Sequence, residues 1–201
     1  MKLLVCGEGP NDIGKDEDPS HLGTLQNLVA QLLKEDVDVL TFERQRITHL
    51  GPRRTSRGFT EKLRLAFREA SLRDCDGLIY VVDSDNDLRR DARLKEAREE
   101  VADKPNAVGT AIRSIEAWLL ADETAVSRAF EFTTPATSKS PEDISNPKPV
   151  LHQWLYLADR WDHSQAYAEL AGEVRIEILG RRCPRGFAPF ADEVRALVGS
   201  S

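Results

Sequence analysis

The chain has 201 residues, 40% of them hydrophobic and 31% charged, with a formal net charge of −6 and a pI near 5.3. That length suits one domain with a real core, and the composition excludes a disordered chain. The acidic balance excludes coating of nucleic acid by bulk electrostatics, so any such contact needs a local basic patch or bound metal ions.

The first apolar run, Leu3 to Cys6, reads as a buried strand. After a polar loop, Leu25, Leu28, Val29, Leu32 and Leu33 recur at helical spacing, and VDVLTF, Val37 to Phe42, reads as a second strand. The segment from Arg44 to Gly58 holds five arginines (44, 46, 53, 54 and 57) and no acid. A helix carrying Leu63, Leu65, Ala66 and Phe67 follows, and GLIYVV, Gly77 to Val82, is a strong strand signal that ends in DSDND. Leu88 to Ala102 predicts a charged, solvent-facing helix, Ala107 to Ile112 a fourth strand, and Ser114 to about Phe130 another helix. Thr133 to Pro149 is rich in Pro, Ser and Thr and reads as a linker. Helical patterns beyond it predict a cap on the same domain.

Strands alternating with helices imply an α/β fold with a parallel, doubly wound sheet over residues 1–132, a linker over 133–149 and a helical extension over 150–201. Cys6, Cys75 and Cys183 are far apart without a CxxC pair, so neither a disulfide framework nor a zinc ribbon is implied. No apolar run approaches the roughly 20 residues needed to span a bilayer, and no signal segment is read, so a cytoplasmic protein without membrane contact is the expectation.

The loop after the first strand places Gly9, Gly14 and Lys15 at P-loop spacing. A P-loop also needs a hydroxyl after the lysine, and Asp16 stands there; Pro10 lacks an N–H, and the carboxylates of Glu8, Asp12, Asp16, Glu17 and Asp18 would repel a triphosphate. A carboxylate site explains the loop better. Glu8 lies just past the first strand, Asp12 four residues on, and Asp83, Asp85 and Asp87 sit at the same edge of the third strand, where ligands bind in open parallel sheets. Alternate residues of an extended segment face one way, so these acids would repel one another unless hard cations, magnesium or manganese, neutralised them. An EF-hand is excluded because Leu88 and Leu94 stand where glycine and glutamate are required.

An apolar strand ending in Glu8-Gly9-Pro10-Asn11-Asp12, followed by one ending in Asp83-Ser84-Asp85-Asn86-Asp87, resembles the Toprim superfamily of topoisomerases, primases and nucleases. SIEAWLLAD (Ser114 to Asp122), NPK (Asn146 to Lys148) and RCPRGFAPF (Arg182 to Phe190) resemble the bacterial family called domain of unknown function 4276, small Toprim-like proteins associated with mobile-element and phage-defence loci beside an ATPase. The resemblance covers nearly the whole chain. It implies a Toprim-like, Rossmann-like sheet with a helical cap. It also implies Glu8, Asp83 and Asp85 as catalytic metal-binding residues, Asp12 as ligand of a second ion and Asp87 as an accessory acid.

Glu116 follows the fourth strand and reads either as a further ligand or as a first-turn acid favoured by the helix dipole. The arginines at 44, 46, 53, 54 and 57, with Arg113 and Lys148, are phosphate-binding candidates; a solvated loop is the other reading of the five. His21, His49, His152 and His163 lack ligand spacing, and Trp118, Trp154 and Trp161 with Phe187 and Phe190 are expected to pack the cap.

These features imply a magnesium-dependent phosphodiester-processing enzyme, a nuclease on DNA or RNA. Two alternatives stay open. One is a non-catalytic regulatory subunit of an ATPase partner; the other is metal-dependent nucleotide-sugar chemistry, since a strand ending in DxD also serves glycosyltransferases.

Overall fold

The computed structural model describes residues 1–14, 21–51, 58–87, 89–134 and 140–199. Four parallel strands, β1 (Lys2–Gly7), β2 (Thr41–Arg46), β3 (Gly77–Asp83) and β4 (Asn106–Ala111), form a sheet in the order β2-β1-β3-β4. Between and after them run α1 (Pro10–Ile13), α2 (Thr24–Leu33), α3 (Phe59–Leu72), α4 (Arg90–Val101), α5 (Glu116–Leu119), α6 (Glu123–Phe130), α7 (Pro147–Leu157), α8 (His163–Glu173), α9 (Ile176–Arg182) and α10 (Phe187–Gly199). The expected α/β architecture with a parallel sheet is present.

The two central strands are apolar on both faces because helices cover both. Leu3, Val5, Ile79 and Val81 face a core shared with α2, α8 and α10, while Leu4, Cys6, Leu78, Tyr80 and Val82 face the layer of α3 and α4. Such continuous apolar runs belong to parallel strands buried on both sides. The C-terminal helices therefore close the same core as the sheet. Phe190 of α10 stacks on Trp118 at 5.4 Å between ring centroids, worth about 0.5–1.5 kcal/mol beyond the area buried. Gly109 admits that ring, since a Cβ there would stand 2.7 Å from Phe190 Cδ2.

The edge strand β4 is guarded from the same helix. Glu193 of α10 accepts the N–H of Val108 at 2.9 Å and pairs with Arg98 of α4 at 2.9 Å, occupying a backbone donor that would otherwise template another strand.

Four expectations need correction. The second strand is Thr41–Arg46 rather than Val37–Phe42: as an edge strand it is charged and half-exposed, and the apolar Val39 before it is 69% exposed. The helix expected from Ser114 to Phe130 is two, α5 and α6, broken at Asp122, whose buried carboxylate takes the guanidinium of Arg175 at 2.8 Å. The stretch expected as a linker is packed over 140–149: buried Glu142 accepts the N–H groups of Arg185 and Gly186, and Pro147 opens α7. Trp161 does not pack the cap but is 67% exposed, edge-on to Tyr156. Among the described residues, no helix is long and apolar enough to cross a membrane.

Candidate functional site

Parallel strands all deliver their chains to one edge of the sheet. Glu8 follows β1 and Asp83 ends β3, and these strands are neighbours with Cys6 beside Tyr80. Gly7 makes the next turn feasible, because a Cβ there would stand 2.7 Å from the Cβ of Asp12. With that space free, α1 folds over the strand end and Asp12 accepts the N–H of Gly9 at 2.7 Å.

After β3, Asp83 Oδ1 accepts the N–H of Ile115 at 3.0 Å. The chain then passes through Asp85 and Asn86, both left-handed with φ of 46° and 67°, a conformation Asp and Asn tolerate better than most side chains. The turn brings Asp85 toward the end of β1. There the guanidinium of Arg90, the first residue of α4, donates to Asp85 Oδ2 at 2.6 Å and also to Glu8 Oε1. Asp87 does other work: it accepts the N–H of Arg89 at 2.9 Å and pairs with Arg93 at 3.2 Å.

Glu116 in α5 is 4% exposed. Tyr167 donates its hydroxyl to Glu116 Oε1 at 2.9 Å, His152 Nε2 lies 2.9 Å from that hydroxyl, and the ring of His163 lies 4.0 Å from that of His152. Lys148 Nζ stands 3.9 Å from Glu116. A cleft of about 380 Å³ opens beside these groups, with Asp83, Asp85 and Glu116 among its acids and Arg113, Ser114 and Lys148 among its donors. The buried hydroxyl of Ser114 has no hydrogen-bond partner among the described residues.

The acids disturb one another. Burial pushes Asp83 up to about 8, with Asp12, Glu116 and Glu8 adding to the rise, and burial pushes Asp12 up to about 6, with Glu116 and Glu8 contributing. Burial also raises Glu8; Arg90 opposes the rise and Asp85 adds to it. Glu8, Asp12, Asp83 and Glu116 therefore share one electrostatic neighbourhood.

The phosphate-binding candidates divide. Arg113, left-handed at φ 68°, and Lys148 line the cleft. Arg44 and Arg46 lie on β2, where Arg44 donates to the carbonyl of His21 at 3.0 Å. Arg53, Arg54 and Arg57 lie outside the described residues. Two residues of the site escaped the sequence reading: Arg90, one of many charges in its helix, and Tyr167, an isolated aromatic with no motif around it.

Carboxylate oxygens are the donors that magnesium or manganese takes. In the arrangement found, no group of three or more His, Cys, Asp or Glu side chains among the described residues is disposed to hold a metal ion. The positive charge between Glu8 and Asp85 is the guanidinium of Arg90. Compared with known proteins, the chain matches no family model, no curated protein and no solved structure.

Proposed function

We propose that this chain is a magnesium- or manganese-dependent phosphodiester-processing protein, a nuclease acting on DNA or RNA. One observation carries the reading: Glu8, Asp12, Asp83 and Glu116 gather at a single sheet edge, and burial with mutual repulsion keeps Asp83 largely protonated at neutral pH. Carboxylates brought together at such cost in a cleft are a functional-site signal. Their order along the chain, with Glu8 after the first strand and Asp83 and Asp85 after the third, resembles Toprim proteins and points the same way.

Glu8, Asp83 and Asp85 would hold the cation, with Asp12 and Glu116 behind them. When bound, a divalent cation polarises a phosphoryl oxygen and makes a nucleophile of water at neutral pH. The chain's own groups do the rest. Arg113 and Lys148, on the cleft wall, offer charge to a phosphate, and the hydroxyl of Ser114 offers a hydrogen bond. Glu8, with its pKa raised by burial, can hold or release a proton closer to neutral pH than an ordinary glutamate.

The test is calorimetric titration with Mn²⁺, together with cleavage assays on plasmid, linear and single-stranded DNA and on RNA, with Glu8→Gln and Asp83→Asn beside wild type. Cation binding and cleavage that both variants lose are expected. Cleavage that survives in both variants, or a protein that binds no cation, would sink the reading.

One observation favours a second reading, a non-catalytic regulatory subunit of a partner such as an ATPase. Arg90 already neutralises Glu8 and Asp85, as a salt bridge kept for structure would. A protein that binds no Mn²⁺ and cleaves nothing, yet whose biological effect survives Glu8→Gln, would establish it.

A further inference from the structure

We propose that one side of α7 is a binding track for single-stranded nucleic acid: unstacked bases rest on Tyr156 and Trp161, and Lys148 leads the strand into the cleft. The inference rests on the reading above for the chemistry at the cleft, and it deepens that reading by naming the form of the substrate.

Helix periodicity builds the track. Lys148, His152 and Tyr156 stand four residues apart, so they lie along one side of α7, each about 6 Å beyond the last. Lys148 lines the cleft, its Nζ 3.9 Å from Glu116. His152 is one turn on, with the ring of His163 4.0 Å from its own. Tyr156 is a turn beyond, and Trp161 meets it edge-on at 5.0 Å between ring centroids. Leu151, Trp154 and Leu155 anchor the helix in the core.

The far end of the track is apolar surface that folding leaves in water: Tyr156 is 60% exposed, Leu157 53% and Trp161 67%. The indole is nonetheless held in place. Its Nε1 donates to Asp159 Oδ1 at 2.6 Å, and the turn that carries it is closed by the N–H of Arg160 on the carbonyl of Leu155 at 2.8 Å. An aromatic pair already fixed costs little to order on binding, which suits a stacking platform.

Charge selects the occupant. A chain of net charge −6 does not gather a duplex through phosphates alone, whereas stacking on base faces adds affinity that needs no phosphate. The acids nearest the indole are engaged, Asp159 by Trp161 and Asp162 by the N–H groups of Ser164 and Gln165. A duplex keeps its base faces inside and advances about 3.4 Å per base, while an unstacked strand exposes them and stretches to the spacing of the track. A protein partner would need an apolar centre within a polar rim. This patch instead runs past two histidines to a lysine in a polar cleft.

Fluorescence titration of the full chain in EDTA with oligo-dT, oligo-rU and a duplex of the same length tests the track without a cation. Trp118 and Trp154 are buried, so quenching on strand binding reports on Trp161. Wild type is expected to bind a single strand at least tenfold more tightly than the duplex. Trp161→Ala and Tyr156→Ala, both exchanges of exposed side chains, should each weaken single-strand binding about tenfold, and Trp161→Phe, which keeps a ring, should recover most of the affinity. Equal affinity of wild type and Trp161→Ala, or a preference for the duplex, overturns the proposal. So does a concentration-dependent dimer in sedimentation that Trp161→Ala abolishes, which would give the patch to a second copy of the chain. Cleavage in Mn²⁺ separates this inference from the nuclease reading. If cleavage occurs but Trp161→Ala leaves strand affinity unchanged, the track is wrong and the nuclease stands; if Trp161 carries single-strand binding and nothing is cleaved, the track stands and the nuclease falls.

Discussion

The hydroxyl of Tyr167 lies 2.9 Å from Oε1 of Glu116 and ties α8 of the C-terminal layer to the chemical edge of the sheet. Both residues are buried, and burial raises the pKa of the phenol, with the charge of Glu116 adding to the rise, so Tyr167 remains a hydrogen-bond donor at any working pH. The cap thus holds a site carboxylate as well as covering the core.

Tyr167→Phe removes that donor and leaves a buried carboxylate oxygen short of a partner. Urea unfolding is expected to show a loss of about 1–3 kcal/mol, with most of it absent when Glu116 is already Ala, as a double-mutant cycle would record. A loss under about 0.5 kcal/mol would mean that solvent reaches Glu116 and replaces the hydroxyl.

Stability should depend on pH through Asp83. An unfolded aspartate titrates near 3.9, whereas folding pushes Asp83 up to about 8, so between those values the folded state binds a proton that the unfolded state lacks. Stability is therefore greatest near pH 4 and is lost as pH rises toward 8, with Asp12, pushed up to about 6, adding to the lower part of the window. In EDTA the Tm is expected to fall across this range. Asp83→Asn, which keeps an acceptor for Ile115, should flatten the profile and be more stable than wild type at pH 8 by about 1–2 kcal/mol. Parallel profiles would show that Asp83 is ionised throughout.

Asp122 presents the opposite sign. Burial alone would raise its pKa, but the hydrogen bonds from Arg175 and Thr124 outweigh that and hold it well below the usual carboxylate range. Its contribution is complete above about pH 4 and fades as pH falls further. Arg175→Ala would leave a buried carboxylate short of its main partner, while Asp122→Ala leaves a half-exposed arginine that rehydrates. The arginine variant should lose more Tm at pH 7, and its deficit should shrink on acidification; equal losses at every pH would refute the argument.

The central strands were legible because burial on both faces leaves long apolar runs, and the acids after them were legible because each follows such a run. The edge strand was not. Thr41–Arg46 contacts one neighbour and carries charges, so its pattern is that of a loop, and the apolar Val37, Val39 and Leu40 drew the reading four residues too early. Asp122 escaped because a buried acid that ends a helix depends on Arg175, 53 residues away. Arg90 and Tyr167 are legible only in three dimensions: the arginine reaches Glu8 across 82 positions, and the tyrosine reaches Glu116 across 51.

The adjacency of β1 and β3 separates what the site does from what it admits. Glu8 and Asp83 leave neighbouring strands at the middle of the sheet, so their spacing is a property of the backbone ladder, the stiffest part of the chain. The groups around them come from separate connections: Asp12 from α1, Asp85 from the turn after β3, Arg113 from the loop after β4, Glu116 from α5 and Lys148 from α7. Each connection can change length or sequence without moving the central pair. Exchange of single loops would therefore reshape the cleft while leaving the central pair in place.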